Sequence, residues 1–128
     1  MTNLTTKLVY AVDALGSAAL GILLIVFAGP LADLFSPGLP ATVLLIVGIG
    51  LLPWAAFNLW IARRPAYPRG AATLNVIGDI GWILASIALV LLAPLTALGV
   101  LAVTAIGAFV LAVCLTKATG LRTAPLAA

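Results

Sequence analysis

The residue of this chain best placed to do chemistry is Asp79, a carboxylate inside the long apolar run from Ala71 to Ala93. The run is long enough to cross a bilayer as one helix. At about 100° of rotation per residue, its polar and indole side chains fall within about 60° of one another. These are Asn75, Asp79, Trp82 and Ser86. Lipid cannot solvate such a face, so we expect it to point at protein or at a water-filled cavity.

A carboxylate at this depth has two interpretations, and the sequence leaves both open. In the first, Asp79 is a proton or cation site, because a medium of low dielectric disfavours an uncompensated charge. In the second, Asp79 hydrogen-bonds Asn58 or Asn75 and fixes the register of the helices. For Asp13 the structural interpretation is favoured, because it is shallow enough to be wetted or paired with a basic residue.

Three more polar residues are predicted at a similar depth. Counted from the nearest basic residue at about 1.5 Å per residue, Asp13, Asn58 and Asn75 lie roughly 8–9 Å below one surface. Asp79 is about one helical turn deeper. An unpaired polar side chain costs several kcal/mol in hydrocarbon, so the four residues are expected to converge inside the protein.

Two tryptophans share the polar faces. Trp54 and Trp82 could form the walls of a pocket for a flat or cationic ligand. Alternatively they pack in the core with the indole N–H bonded to a polar neighbour, which is the commoner arrangement. The candidates for a proton or ligand site are therefore Asp79, Asn75, Asn58, Asp13, Trp82, Trp54 and Ser86.

Four membrane spans must position these residues. The 128 residues are 65% hydrophobic and only 7% charged, so the chain lacks the polar surface that a soluble domain of this length needs. The predicted fold is an all-α integral membrane protein, a four-helix bundle forming one domain over 1–128. The spans are expected at about 8–28, 41–62, 71–93 and 95–116.

Patterns within the spans predict how they pack. Pro53 is expected to kink the second span near Ile49 and Gly50. In three spans, residues spaced by four share one face, and the small ones among them allow another helix backbone to approach closely. These residues are Asp13, Ser17 and Gly21 in the first span, Gly50, Trp54 and Asn58 in the second, and Thr104, Ala108, Ala112 and Thr116 in the fourth. The last stripe is expected to contact the third span or another subunit.

The basic residues predict the orientation. They fall at three places on one side of a four-span protein: Lys7, then Arg63, Arg64 and Arg69, then Lys117 and Arg122. Here Lys117 is taken as the end of the fourth span. The positive-inside rule places both termini and the middle loop in the cytoplasm of a bacterium, with the chain multi-pass in the inner membrane.

Composition also argues against several functions. There is no His or Glu, and the lone Cys114 cannot form an intramolecular disulfide or a zinc site. No acid–base or nucleophile constellation can be assembled, so we expect no enzyme, metal or cofactor. Basic residues at span ends indicate orientation and not nucleic-acid binding. The expected partners are membrane lipids and a homo-oligomer or larger membrane complex.

Two families share part of this pattern. With a carboxylate in its first span (Asp13) and tryptophans in the bundle, the chain resembles the small multidrug resistance transporters in topology. This resemblance implies proton-coupled export of lipophilic cations by a dimer. It departs from them in lacking their glutamate and in its one-sided charge. Gly21-Ile22-Leu23-Leu24, Phe27-Ala28-Gly29-Pro30-Leu31 and a span ending in Arg63-Arg64 are similar to DoxX-like four-span inner-membrane proteins. That likeness implies location and not activity.

The leading functional hypothesis is a non-enzymatic accessory or structural membrane protein, such as a subunit of a complex. The alternative is a small proton-coupled transporter with Asp79, together with Asp13, as its protonation site and Trp54 and Trp82 as pocket walls. A further alternative is a quinone-binding or lipid-binding protein, which depends on Pro53 and the aromatic residues.

Overall fold

The computed structural model describes residues 4–124, which form five α-helices and, within that range, no β-strand. The helices are α1 (Leu4–Val26), α2 (Ala28–Phe35), α3 (Ala41–Arg63), α4 (Arg69–Leu92) and α5 (Ala97–Thr123). All except α2 are long and apolar enough to cross a membrane. The predicted all-helical, four-span fold is confirmed. The ends of the predicted domain, 1–3 and 125–128, lie outside the described residues.

The last helix differs most from its predicted span. The span was expected to end at Thr116, but α5 continues to Thr123 and carries Lys117 within it. The Lys117 side chain is 0% exposed. The prediction that Lys117 ends the span and marks the cytoplasmic surface is therefore wrong. A long aliphatic side chain can carry its ammonium into the bundle when carboxylates are there to receive it.

The connection from α1 to α3 is itself partly helical. The segment from Leu31 to Phe35 belongs to α2. Pro30 is tolerated because it lies in the first turn of that helix, where a backbone N–H has no intrahelical partner. The turn after α2 contains Gly38 at φ +74°, a conformation that favours glycine. In α3 the helix continues through Pro53.

The long helices pack as two pairs, α1 with α3 and α4 with α5. In the first pair the backbones touch, because a Cβ added at Gly48 would lie 2.8 Å from the carbonyl oxygen of Gly21. Contact between α3 and α4 is sparse, and there the Trp54 ring covers Gly78. The spacing of small residues in the first span correctly predicted a face suited to close approach.

Polar contacts join the two pairs at the end that carries α2. The backbone N–H of Thr96 donates to the Phe35 carbonyl at 2.9 Å, and the Ser36 hydroxyl donates to the Pro94 carbonyl at 2.9 Å. Thr96 also caps α5 by accepting from the Gly99 N–H at 3.0 Å. The opposite end is joined by the ion cluster described below. Between the two ends α1 and α5 also touch, because a Cβ added at Gly16 would lie 3.5 Å from the Phe109 ring.

The stripe of small residues on α5 faces outward. Thr104, Ala108 and Ala112 are exposed, and Thr116 is partly buried. Thr104 and Ala108 also line a cavity of about 360 Å³ between α5 and α4. Contact of this stripe with another subunit stays a prediction.

Candidate functional site

The ammonium of Lys117 gathers polar side chains from the other three long helices. Its Nζ donates to Asp13 Oδ2 at 2.5 Å and to Asp79 Oδ2 at 2.8 Å. It also lies within hydrogen-bond distance of Asn75 Oδ1 at 2.7 Å and Asn58 Oδ1 at 3.0 Å. We call these five residues the ion cluster. The four polar residues expected to converge do so, around a lysine that sequence reasoning had placed at the surface.

The hydrogen bonds of the ion cluster can nearly all be satisfied at once. An ammonium has three N–H donors, and four oxygens surround this one. Asn58 Oδ1 is the most distant of them and also accepts from Asn75 Nδ2 at 3.3 Å. The Asn58 amide in turn donates to the Trp54 carbonyl at 3.0 Å. The two asparagines therefore link α3 and α4 as well as binding the lysine.

All five residues are removed from solvent. Lys117, Asn58 and Asn75 are 0% exposed, Asp79 is 3% exposed and Asp13 is 4% exposed. The Tyr10 ring covers another side of the ammonium, with its centroid 4.9 Å from Nζ, within the range of a cation–π interaction. At such burial the charges interact strongly, and an uncompensated one is costly.

The charges of the ion cluster do not balance. Within the described part of the chain, Lys117 is the only basic side chain that pairs with Asp13 or Asp79. Two ionised carboxylates beside one ammonium leave a net charge of −1. An ion pair that only holds two helices together needs one carboxylate for one lysine. The second carboxylate therefore indicates that a proton or another cation completes the cluster.

The two carboxylates are not equivalent. Both oxygens of Asp13 are engaged, because Oδ1 accepts from the Ser17 hydroxyl at 3.1 Å and Oδ2 binds Lys117. Asp79 binds Lys117 through Oδ2. Its Oδ1 accepts no hydrogen bond from any residue that the structure describes. Asp79 thus keeps one free acceptor in an almost fully buried side chain.

A cavity of about 770 Å³ lies between the two helix pairs, with residues of all four long helices in its wall. Its volume falls in the range of about 300–1,000 Å³ usual for small-molecule sites. Asp13, Ser17 and Asp79 line it, whereas Lys117 and the two asparagines do not. The carboxylates therefore stand between the ammonium and the cavity.

Aromatic rings and glycines make up much of the remaining wall. Trp54, Trp82 and Phe109 line the cavity, so both tryptophans lie where the pocket interpretation placed them. The Trp82 Nε1 is buried and has no hydrogen-bond partner among the described residues. The alternative of a packed indole with a bonded N–H therefore does not describe Trp82.

Ser86 lies apart from the ion cluster, although it shares a helix face with Asp79. Its hydroxyl donates to the Trp82 carbonyl at 2.9 Å, one turn back on α4. The side chain lines a second cavity of about 360 Å³ between α4 and α5, opposite Gly107. Ser86 is not among the residues that line the first cavity.

Sequence reasoning missed Lys117 because a lysine near the end of an apolar run usually marks the membrane surface. A signal was present. The chain continues from Lys117 to Arg122 without proline, so the helix had room for another turn and a half before a second basic residue. In the part of the chain described, no three residues among His, Cys, Asp and Glu come together as a metal site.

No known protein family, curated protein or solved structure matches this chain. The class of protein is therefore defined by fold and composition, which suit a multi-pass helical membrane protein. In this chain the ion cluster lies beside a cavity lined by residues of all four long helices.

Proposed function

We propose that the chain is a small proton-coupled transporter, not an enzyme, with Asp79 as its protonation site. One observation carries the proposal: Asp79 both belongs to a cluster with an unbalanced negative charge and lines the cavity. A proton on Asp79 and a ligand in the cavity would contact the same carboxyl group. Binding of either therefore changes the affinity for the other, which is the requirement for coupling.

The proposed location is the inner membrane of a bacterium, with both termini and the middle loop in the cytoplasm. Lys117 no longer contributes to this inference, because it is buried. The remaining basic residues are Lys7, Arg63, Arg64, Arg69 and Arg122. All five still lie on one side of the four spans, and this supports the same orientation.

Infrared spectroscopy of the purified protein in detergent tests the proton site. We expect the C=O band of a protonated, buried carboxyl near neutral pH. Asp79→Asn removes the band because it leaves one lysine with one carboxylate. Asp33→Asn is the control, since Asp33 is exposed on α2 and should leave the band unchanged. Absence of the band throughout about pH 5–9, where a proton held by a buried carboxyl would show, would contradict the proposal.

A second candidate is an accessory or structural subunit of a homo-oligomer or a larger membrane complex. The outward stripe of Thr104, Ala108 and Ala112 favours it, because small exposed residues allow a second helix to approach closely. Purification in mild detergent, followed by mass spectrometry of bound proteins, tests this candidate. A defined partner that Asp79→Asn leaves bound supports it, whereas monomeric protein carrying only lipid argues against it.

A further inference from the structure

We propose that the cavity binds a neutral, hydrophobic carbonyl compound, whose oxygen accepts a hydrogen bond from the protonated Oδ1 of Asp79. This deepens the proposed function and depends on it, because the donor exists only while the proton is present. The inference rests on the position of that proton, on the polar groups of the cavity wall and on the open side of the cavity.

The hydrogen bonds of the ion cluster determine which carboxylate oxygen carries its proton. Lys117 donates to one oxygen of each carboxylate, and the Ser17 hydroxyl donates to the other oxygen of Asp13. A proton on any of these three oxygens would compete with the donor already there. The fourth oxygen, Asp79 Oδ1, accepts no hydrogen bond from any described residue. The neutral cluster therefore carries its proton on Oδ1.

Protonation changes Oδ1 from a hydrogen-bond acceptor to a donor. Asp79 is 3% exposed and lines the cavity, so its O–H group needs an acceptor that lies in the cavity. Trp82 lines the same cavity, and its Nε1–H also has no acceptor among the described residues. Both unmatched groups are donors. They favour a ligand with a carbonyl oxygen, which has two lone pairs and no hydrogen to donate.

The charge of the ion cluster favours a ligand that is neutral. With the proton on Asp79, the remaining charges of Lys117 and Asp13 cancel. A charged ligand would then bring an uncompensated charge into an apolar cavity, which is costly. A carbonyl compound leaves both the charge and the proton in place. Ligand and proton therefore bind together, and each raises the affinity for the other.

The open side of the cavity, between α3 and α4, favours the same class of ligand. Gly50 and Gly81 are exposed members of its wall, and a Cβ added at either would meet nothing within 4 Å. This side faces the apolar surroundings of the spans, where a neutral hydrophobic molecule dissolves and an ionised group is costly. Inside, the rings of Trp54, Trp82 and Phe109 provide faces for an apolar body.

The test compares three probes on one naphthalene skeleton: a methyl ketone with an isotope-labelled carbonyl, the ethyl hydrocarbon and a trimethylammonium derivative. Binding to purified full-length protein in detergent is followed by tryptophan fluorescence and corrected for partition into protein-free micelles. The ketone should bind about 10-fold more tightly than the hydrocarbon, the factor expected when a buried donor gains its acceptor. In the infrared spectrum, the ketone carbonyl band and the carboxyl band of Asp79 should both move to lower wavenumber on binding.

The pH dependence of ketone binding shows whether the proton is retained. Affinity should be lower at about pH 9 than at about pH 5, because the carboxyl must be protonated to donate. At the higher pH, calorimetry in buffers of different ionisation enthalpy should detect proton uptake from solvent on binding. Asp33→Asn, exposed on α2, is the control and should keep both properties.

Two substitutions of Asp79 separate the hydrogen bond from the titration. Asp79→Asn keeps a donor that cannot titrate, so its affinity for the ketone should be the same at about pH 5 and about pH 9. Asp79→Leu has no donor and should bind the ketone no more tightly than the hydrocarbon. Thermal unfolding of each variant establishes that it is folded.

Equal affinity for the ketone and the hydrocarbon would overturn the carbonyl assignment. Unchanged ketone binding in Asp79→Leu would do the same, as would tighter binding of the trimethylammonium probe with proton release. Each of these results would leave the carboxyl band of the ligand-free protein in place, and the proposed function with it. Absence of that band would instead remove the proposed function, so the two failures are distinguishable.

Discussion

At the scale of single residues, Lys117 explains how this chain keeps two carboxylates inside an apolar bundle. Its ammonium contacts both Asp13 and Asp79 and is covered by Tyr10. A buried ion pair adds little net stability compared with apolar packing, but removing one partner leaves a charge without compensation. The cluster therefore makes the fold sensitive to its lysine and to pH.

Lys117→Met should lower the free energy of unfolding by about 3–5 kcal/mol, the usual penalty for breaking a buried ion pair. Without the ammonium, burial of the two carboxyls is tolerated only when both are protonated. The loss should therefore be larger at about pH 8 than at about pH 5 in thermal unfolding experiments in detergent. Lys7→Met is the control, because Lys7 forms no ion pair among the described residues. Equal losses at both pH values would contradict this account.

Tyr67, in the loop between α3 and α4, has a pKa that burial raises above its usual value, while Tyr10 and Arg69 lower it in part. A raised pKa means that the fold favours the neutral phenol. The contribution of the neutral phenol to the free energy of unfolding is fully present below about pH 10, the ordinary tyrosine pKa. It is lost as the pH rises through the raised pKa. Tyr67→Phe should thus reduce the alkaline loss of stability. The pH dependence of thermal unfolding and the tyrosinate absorbance check this, and unchanged alkaline unfolding would argue against it.

At the scale of elements, the pairing of α1 with α3 and of α4 with α5 creates the cavity. The first pair is fixed by direct backbone contact of Gly21 and Gly48. Contact between α3 and α4 is sparse and includes the Trp54 ring on Gly78, so the two pairs stand apart along this side of the bundle. The wall of the cavity is open because packing is concentrated within each pair.

Gly48→Ala should destabilise the protein by about 1–3 kcal/mol, because its Cβ would meet the Gly21 carbonyl and force α1 from α3. Gly50→Ala, two residues further along α3, is the matched control. A Cβ there meets nothing, so the variant should be neutral or up to about 1 kcal/mol more stable through its higher helix propensity. Unfolding measured in detergent compares the two. Equal stability of both variants would show that α1 and α3 are not in backbone contact.

At the scale of the whole molecule, charge asymmetry predicts a single orientation. Pro37 and Ala66 are exposed residues of loops on opposite sides of the four spans. In intact cells, an impermeant maleimide should label Pro37→Cys and not Ala66→Cys, because the basic loop is retained in the cytoplasm. The native Cys114 is buried, so it should not react with the maleimide in either variant. Labelling of both sites would indicate two orientations.

Much of the architecture was predictable because it depends on local properties. Only the geometry of one helix in lipid is needed to interpret the span length, the apolar composition and the four-residue spacing of Asp13, Ser17 and Gly21. The convergence of Asp13, Asn58, Asn75 and Asp79 followed from depth and from the cost of unpaired polar groups. None of these inferences requires information about which helices are neighbours in the bundle.

The position of Lys117 and the cavity depended on packing between helices. A lysine near a span end can reach the surface or turn inward, and the choice depends on whether carboxylates from other helices lie within reach of its ammonium. Only the packed bundle brings Asp13 of α1 and Asp79 of α4 to one atom of α5. The free oxygen of Asp79 arises in the same way, because hydrogen bonding to neighbours from distant parts of the chain decides which acceptors remain.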